Sequence, residues 1–298
     1  FNHNLPGKNY CMKAIMSLVL LLLSLPFVSL AQDDLLALLE EGEAPEANIT
    51  PATFKGSRLI NGHTVMTRRA GTLEFLIAHR FGRLNSGAYE LFGIDQANVR
   101  FGLEYGISDR LTLGFGRNSF EKTYDGFVKL AILRQQKGKR QIPVSITGLA
   151  TTAIKTLKPD DENETIAFSS RLTYSYQLLV ARKFGKQLSL QLMPTMLHRN
   201  EITLPAPNDL FALGAGGRFK LNQRLSINAE YYYRLNAPDT EEFKNSLAIG
   251  VDIETGGHVF QLHLTNSRAM NEKGFISETR GNFFEGDIHF GFNVTRVF

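Results

Sequence analysis

The sequence predicts an all-β fold: a single antiparallel up-and-down transmembrane β-barrel of about 12 strands, preceded by a cleaved signal peptide and a short periplasmic N-terminal segment. Three observations carry that prediction. Apolar and polar residues alternate with a period of two along repeated segments, each near the length of a membrane-spanning strand. The links between those segments alternate between short and long. The last segment, Phe284 to Phe298, sets an apolar row of Phe284, Ile288, Phe290, Phe292, Val294 and Phe298, broken by Arg296, against Glu285, Asp287, His289, Asn293 and Thr295.

At the other end, Met12-Lys13, the apolar run Leu18 to Leu30 and the small residues ending at Ala31 read as a basic n-region, an h-region and a cleavage site. Residues 1–31 are therefore expected to be an upstream extension plus a signal peptide starting at Met12. Pro26 and the shortness of the run argue against a transmembrane helix. The removed part holds Lys8 and Lys13 and no acid, leaving 31 basic against 29 acidic residues. That balance offers no basic stripe for a nucleic acid. The only cysteine, Cys11, precedes Met12, so the exported chain is expected to hold no disulfide or thiolate metal site.

Residues 32–71 form the expected periplasmic N-terminal segment. Gln32 to Glu46 is acidic and leucine-rich, a short helix ended by Gly42 and Pro45, open to a periplasmic partner. Asn48 to Gly71 has mixed polarity and reads as a linker or a segment tucked into the barrel mouth. A gated importer is not expected, because about 40 residues before the first strand are too few for a plug domain.

The barrel domain is expected over 72–298. Its first strand sets Leu73, Phe75, Ile77 and Phe81 against Glu74 and Arg80; its second sets Val99, Phe101, Leu103 and Tyr105 against Arg100, Gly102 and Glu104. The third alternates Leu111, Leu113 and Phe115 with Thr112 and Gly114, and the fourth sets Val128, Leu130 and Ile132 against Lys129. The fifth reads from Ile142 through Val144 and Ile146, and the sixth runs from Phe168 to Val180 with Arg171 on its polar face. The seventh follows Leu188, Leu190, Leu192 and Met196, the eighth Phe211, Leu213, Ala215 and Phe219 against Arg218, and the ninth Leu225 to Tyr233 against Glu230. The tenth sets Leu247, Ile249, Val251 and Ile253 against Asp252, the eleventh Phe260, Leu262 and Leu264 against His263, and the C-terminal stretch is the twelfth. Links after even strands, such as Ser108-Asp109-Arg110 and Leu221-Asn222-Gln223, are mostly tight, whereas those after odd strands are mostly long. That parity matches periplasmic turns and outer loops. With no tryptophan, an interfacial girdle falls to Tyr105, Tyr174, Tyr176, Tyr231 and Tyr233.

Charges on alternate sites of a greasy strand face a lumen if the grease faces lipid. The lumen-lining candidates are Glu74, Arg80, Arg100, Glu104, Lys129, Arg171, Arg218, Glu230, Asp252, His263 and His289. His263 and His289 fall on neighbouring strands with Asp287 nearby, and a hydrogen-bond network is expected of them in preference to a metal site. Twelve strands about 4.8 Å apart and tilted about 40° leave a bore of roughly 10 Å once side chains project inward. The glycine runs Gly114-Phe115-Gly116 and Gly214-Ala215-Gly216-Gly217 lack a following helix and lysine, so they read as strand glycines and not as phosphate loops. Catalytic, cofactor-binding and metal residues are expected to be none.

His79-Arg80-Phe81-Gly82, Leu91-Phe92-Gly93-Ile94-Asp95, Gly102-Leu103-Glu104-Tyr105-Gly106, Gly116-Arg117, Tyr124-Asp125-Gly126-Phe127 and Leu133-Arg134-Gln135 resemble the signature of a domain-of-unknown-function (number 5777) outer-membrane β-barrel family of Gram-negative bacteria. The resemblance implies an outer-membrane location and no established activity. The terminal aromatic strand likewise resembles the assembly signal of outer-membrane barrels, implying the barrel-assembly machinery and outer-membrane lipid as partners; Arg296 departs from that signal. The expected function is a narrow small-solute channel or a structural or binding barrel without catalysis. The alternatives are a phospholipase-like barrel hydrolase and a secreted soluble β-sandwich.

Overall fold

The computed structural model describes residues 48–138, 140–159, 166–200, 207–237, 242–255 and 257–298. The expected signal peptide and the acidic leucine-rich stretch lie outside the described residues. Twelve strands make up the barrel: β1 (Leu73–Arg83), β2 (Ala97–Ser108), β3 (Leu111–Asn118), β4 (Tyr124–Leu133), β5 (Ser145–Ile154), β6 (Leu172–Lys183), β7 (Leu188–Arg199), β8 (Asp209–Lys220), β9 (Leu225–Arg234), β10 (Ser246–Thr255), β11 (His258–Thr265) and β12 (His289–Val297). Each pairs antiparallel with the next, and β12 pairs with β1 to close the ring. Beside the closing pair, Phe298 N–H donates to the Leu73 carbonyl at 2.8 Å. Closure leaves no unpaired strand edge, the condition for a sheet to stand in hydrocarbon.

The outward rows are apolar: Phe101 is 50% exposed, Ile249 44% and Leu73 37%. An apolar belt facing outward around a closed, even-stranded antiparallel barrel is the arrangement of the bacterial outer membrane, and it excludes a soluble sandwich, which would bury that face. Four short turns and the longer link 134–144 share one end with the chain's C-terminus and the entry of residue 48, the periplasmic one; the other end carries five long links and the short link 119–123. At the periplasmic rim Asn48–Ile49 pairs with Gln136–Lys137 as a two-residue ribbon.

Three strand boundaries differ from expectation. β12 starts at His289 and not at Phe284, because Phe283–Glu285 forms a 3-10 turn and Gly286 follows at φ 86°, a left-handed conformation that ends an extended run. β5 starts at Ser145: Pro143 has no N–H for the ladder, and Ile142 instead bridges Gln136. β6 starts at Leu172, after a 3-10 turn over Ser169–Arg171 that removes Phe168 and Arg171 from the strand.

The core lies inside the barrel. Residues 53–66 enter from the periplasmic end, reverse at Leu59–Gly62 and run back beside themselves, with Leu59 N–H on the Gly62 carbonyl and Thr64 N–H on the Ser57 carbonyl, both at 2.8 Å. Every residue from Leu59 to Val65 is buried. From the outer end the β11–β12 link turns inward and buries Ala269 to Glu272 and Gly274 to Ser277, the latter within a single π-helical turn, Lys273–Ser277. Phe54, Leu59 and Val65 of the hairpin and Phe275 and Ile276 of the outer link join a wall patch of Phe127, Leu149, Leu179, Met193, Leu197, Leu210 and Tyr232. Burying side chains of this size contributes about 1.5–3 kcal/mol each. Two expectations are corrected. The inward rows are not uniformly polar, and the segment before β1 does plug the lumen: a hairpin suffices where the wall supplies its partners.

Candidate functional site

The hairpin tip rests on one carboxylate. Glu230 on β9 projects inward, and the backbone N–H groups of Ile60, Asn61 and Gly62 donate to its two oxygens at 3.2, 2.7 and 3.1 Å. Consecutive amides converging on an anion form a nest, which satisfies a buried carboxylate without a counter-ion. Gly62 is required at this point, since a Cβ there would overlap the Tyr232 hydroxyl. Further wall side chains bind the hairpin backbone. Gln261 donates to the Leu59 carbonyl at 2.6 Å, Asn293 to Ile60 at 3.1 Å and Thr147 to Val65 at 2.9 Å. Gln191 both accepts from Val65 N–H at 2.9 Å and donates to the His63 carbonyl at 2.7 Å.

Charges follow the same plan. Glu74 and Glu104 stand directly opposite each other on β1 and β2, a destabilising like-charge pair in isolation. The hairpin and the residues just after it supply the cations: Arg68 donates to Glu74 at 2.9 Å, and Arg58 Nε lies 3.9 Å from Glu104. Ser57 also donates to Glu74, at 2.9 Å. Lys129 on β4 donates to the carbonyls of Ser57 and Met66, each at 3.2 Å, spanning both arms of the hairpin. Arg80 on β1 donates to the Asn61 amide oxygen at 2.9 Å, to His263 Nε2 at 3.0 Å and to the Ser267 carbonyl of the outer link at 2.7 Å. Arg100 pairs within the wall, its Nε 3.0 Å from Asp125 Oδ1 and its Nη2 also on that carboxylate. Where the two insertions meet, Glu272 of the outer link lies 3.2 Å from Arg58 and 3.5 Å from His63, whose ring stands edge-on to Phe127 at 4.4 Å.

The other sequence candidates sit as follows. Asp252 accepts from Gln261 at 2.6 Å, and Arg218 donates to Ser226 at 2.9 Å and pairs with Glu254. His263 and His289 are buried but separately engaged, His263 by Arg80 and His289 through Nδ1 on the Phe81 carbonyl at 2.8 Å. Arg171 does not line the lumen: from its 3-10 turn it donates to the Lys155 and Leu157 carbonyls of the outer rim at 3.2 and 2.9 Å. Asp287 likewise stays at the rim, on Arg83 at 3.1 Å and Asn85 at 2.9 Å; the Asn85 bond, with Arg83 beside it, holds its carboxyl below the usual range. Among the described residues no group of three His, Cys, Asp or Glu side chains could hold a metal, and no histidine is hydrogen-bonded to a serine hydroxyl.

Sequence reasoning missed Arg58, His63, Asp125 and Glu272, and with them the apolar wall patch. A signal for that patch is present. Phe127-Val128, Leu178-Leu179, Leu192-Met193, Met196-Leu197 and Leu210-Phe211 place grease on both faces of a strand, and the inner member of each pair needs an apolar cover.

Among the described residues a cavity of about 540 Å³ lies beside the hairpin at the periplasmic mouth and another of about 580 Å³ at the outer mouth, and a void of about 10 Å³ lies beside Arg58, Arg80 and Arg100. That void has room for about one water. At the outer rim Lys273 joins Glu121 at 3.0 Å and Glu278 at 2.9 Å, and Lys155 joins Glu121 at 2.7 Å. Burial would raise the Glu121 carboxyl, but the two lysines outweigh it and hold it low; burial would lower the Lys273 ammonium, but its two carboxylates outweigh that and hold it high.

Residues 54–298 match the family model described as membrane bound beta barrel domain (DUF5777). None of the curated proteins matches the chain. Among solved structures the chain is similar to the KdgM porin, at 9% identity and a TM-score of 0.44 over 76% of this chain and 99% of that one. It is similar to the CymD monoaromatic hydrocarbon channel at 10% identity and a TM-score of 0.37, over 78% and 89%. It is also similar to OmpF of Salmonella typhi, in complex with daunomycin, at 7% identity and a TM-score of 0.38, over 76% and 97%.

Proposed function

The chain belongs to the membrane bound beta barrel domain family, and from that premise we propose that it is a non-catalytic, gated conduit for small solutes across the outer membrane, with the hairpin 53–66 as its gate. The observation that carries this reading is the way the gate is held. Both arms of the hairpin open to the periplasmic mouth, so it can leave without breaking a strand pairing. Most of its bonds to the wall are hydrogen bonds and ion pairs from Glu230, Gln191, Lys129, Glu74, Gln261 and Asn293, groups that water can take over once it leaves. A barrel built only for support would gain more from an apolar filling, since buried ionic networks add little net stability. The belt is solvated by outer-membrane lipid, β12 is the strand that the barrel-assembly machinery would engage before the ring closes, and the segment leading into the hairpin would give a periplasmic partner a handle on it.

The test is conductance in a planar bilayer, with heat-modifiable gel mobility as the check on folding. The full chain is expected to be silent or to open only briefly, and a chain lacking residues 52–69 to conduct steadily. A folded deletion variant that stays silent would overturn the conduit in favour of a structural barrel.

A further inference from the structure

The outer cavity, about 580 Å³, has a lining whose charge among the described residues is unbalanced. Among the described residues its cations are Arg83, Lys155, Arg199, Arg268 and Arg280, and its carboxylates are Glu121 and Glu278. Both acids are already engaged by Lys273 beneath them. Arg83 and Arg280 have partners at the rim, Asp287 at 3.1 Å and Glu242 at 2.9 Å. Arg199 and Arg268 have no carboxylate partner among the described residues. Arg199 is only 7% exposed; one nitrogen donates to the Pro207 carbonyl at 3.1 Å, while its Nε has no acceptor. Arg268 is held by stacking its guanidinium 5.2 Å from the Phe120 ring centre, and Arg280 stacks likewise on Phe243 at 5.4 Å. A guanidinium fixed on an aromatic face keeps its planar N–H edge available for a carboxylate or phosphate.

A buried, incompletely partnered guanidinium is costly to keep, and an anion in the cavity would offset that cost. The volume falls within the range of roughly 300–1,000 Å³ typical of small-molecule sites. We propose that the outer vestibule binds a free small organic polyanion, one carrying two or more carboxylate or phosphate groups, between Arg199 and Arg268. The site is formed by Arg268 of the β11–β12 link, Phe120 and Arg199 at the end of β7, and it stands whether or not the hairpin moves.

The test is calorimetric titration of the full folded chain at low ionic strength, where screening is weak. The probes are citrate and pyrophosphate, with sucrose as the neutral control. Saturable binding of at least one anion and none of sucrose is expected, weakened at least tenfold in Arg268→Gln and in Arg199→Gln. It should be unchanged in Lys186→Gln, which removes a charge from the β6–β7 turn at the opposite end. Arg268 is exposed, so its variant decides the matter if Arg199→Gln does not fold. Absence of saturable binding, affinity unchanged in Arg268→Gln, or equal loss in Lys186→Gln would overturn the proposal. So would displacement of the bound anion by detergent-dispersed phosphatidylglycerol, which would assign the site to a lipid headgroup.

Discussion

The two insertions that fill the barrel are held by different means. The periplasmic hairpin is fastened to the wall: side chains from β1, β4, β5, β7, β9, β11 and β12 reach its backbone or its charges. The hydrogen bonds of the outer link run mainly to itself and to neighbouring loops, while its Phe275 and Ile276 pack on the apolar wall patch. Phe275 N–H bonds the Asn271 carbonyl, Thr279 Oγ1 the Phe275 carbonyl and Lys244 N–H the Thr279 carbonyl, while Arg80 is a wall residue that reaches it, at Ser267. The hairpin therefore behaves as part of the barrel's core, with a position dictated by the wall, whereas the outer link behaves as a lid whose shape is largely its own.

The sharpest way to break that distinction is by deletion. Removing residues 269–280 is expected to leave the bilayer silent, in contrast to the open conductance expected without the hairpin. Steady current from the lid deletion alone would reverse the ranking of the two insertions. Next in size is the carboxylate under the tip. Glu230→Ala strands three buried amides and is expected to cost about 3 kcal/mol in the denaturant midpoint of refolded protein, with frequent brief openings in the bilayer. Gly62→Ala forces a methyl against the Tyr232 hydroxyl at a cost of about 2 kcal/mol, and a double-mutant cycle with Tyr232→Phe should recover part of it. Full additivity of the two changes would mean that the tip does not sit against Tyr232.

The smallest effects belong to the lid. Lys273→Ala is expected to cost about 1–2 kcal/mol, because its ion pairs are partly buried and Lys155 still neutralises Glu121. Glu121 and Asp287 are held below their unfolded carboxylate values, so their stabilisation is present above about pH 4 and fades as pH falls through the lowered values. Lys273 is held high, so its contribution is complete below about pH 10 and is lost as pH rises through the raised value. Hydrogen exchange at acid pH should accordingly quicken in 266–288 before it quickens in 53–66. Simultaneous loss of protection in both would contradict the separate fastening.

The barrel was legible in the sequence because a strand in lipid repeats one simple rule, grease at every second position, and rows such as Phe101, Leu103 and Tyr105 or Leu247, Ile249 and Val251 obey it without reference to the rest of the chain. The charged inner rows were legible for the same reason. The hairpin was not, since Phe54 to Met66 has no period of its own and takes its shape from Glu230, Gln191 and Lys129, which lie far away in sequence. Arg171 and Phe284 misled because alternation continues past a strand's end while the backbone does not: a 3-10 turn displaces the first, and the second lies in a 3-10 turn that Gly286 closes at φ 86°. Glu272 was out of reach altogether, as its partners Arg58 and His63 belong to the other insertion.

The central claim, that a hairpin is seated inside a closed barrel, is tested most directly by thiol labelling. In a chain with Cys11 replaced, Ser57→Cys is nearly isosteric at a position 1% exposed, and Tyr89→Cys reports on a rim position 94% exposed. With a bulky water-soluble maleimide, the Tyr89→Cys thiol should react at once, and the Ser57→Cys thiol should stay protected until the barrel is melted by heat. Equal labelling of the two in folded protein would place the hairpin outside the lumen and contradict the account.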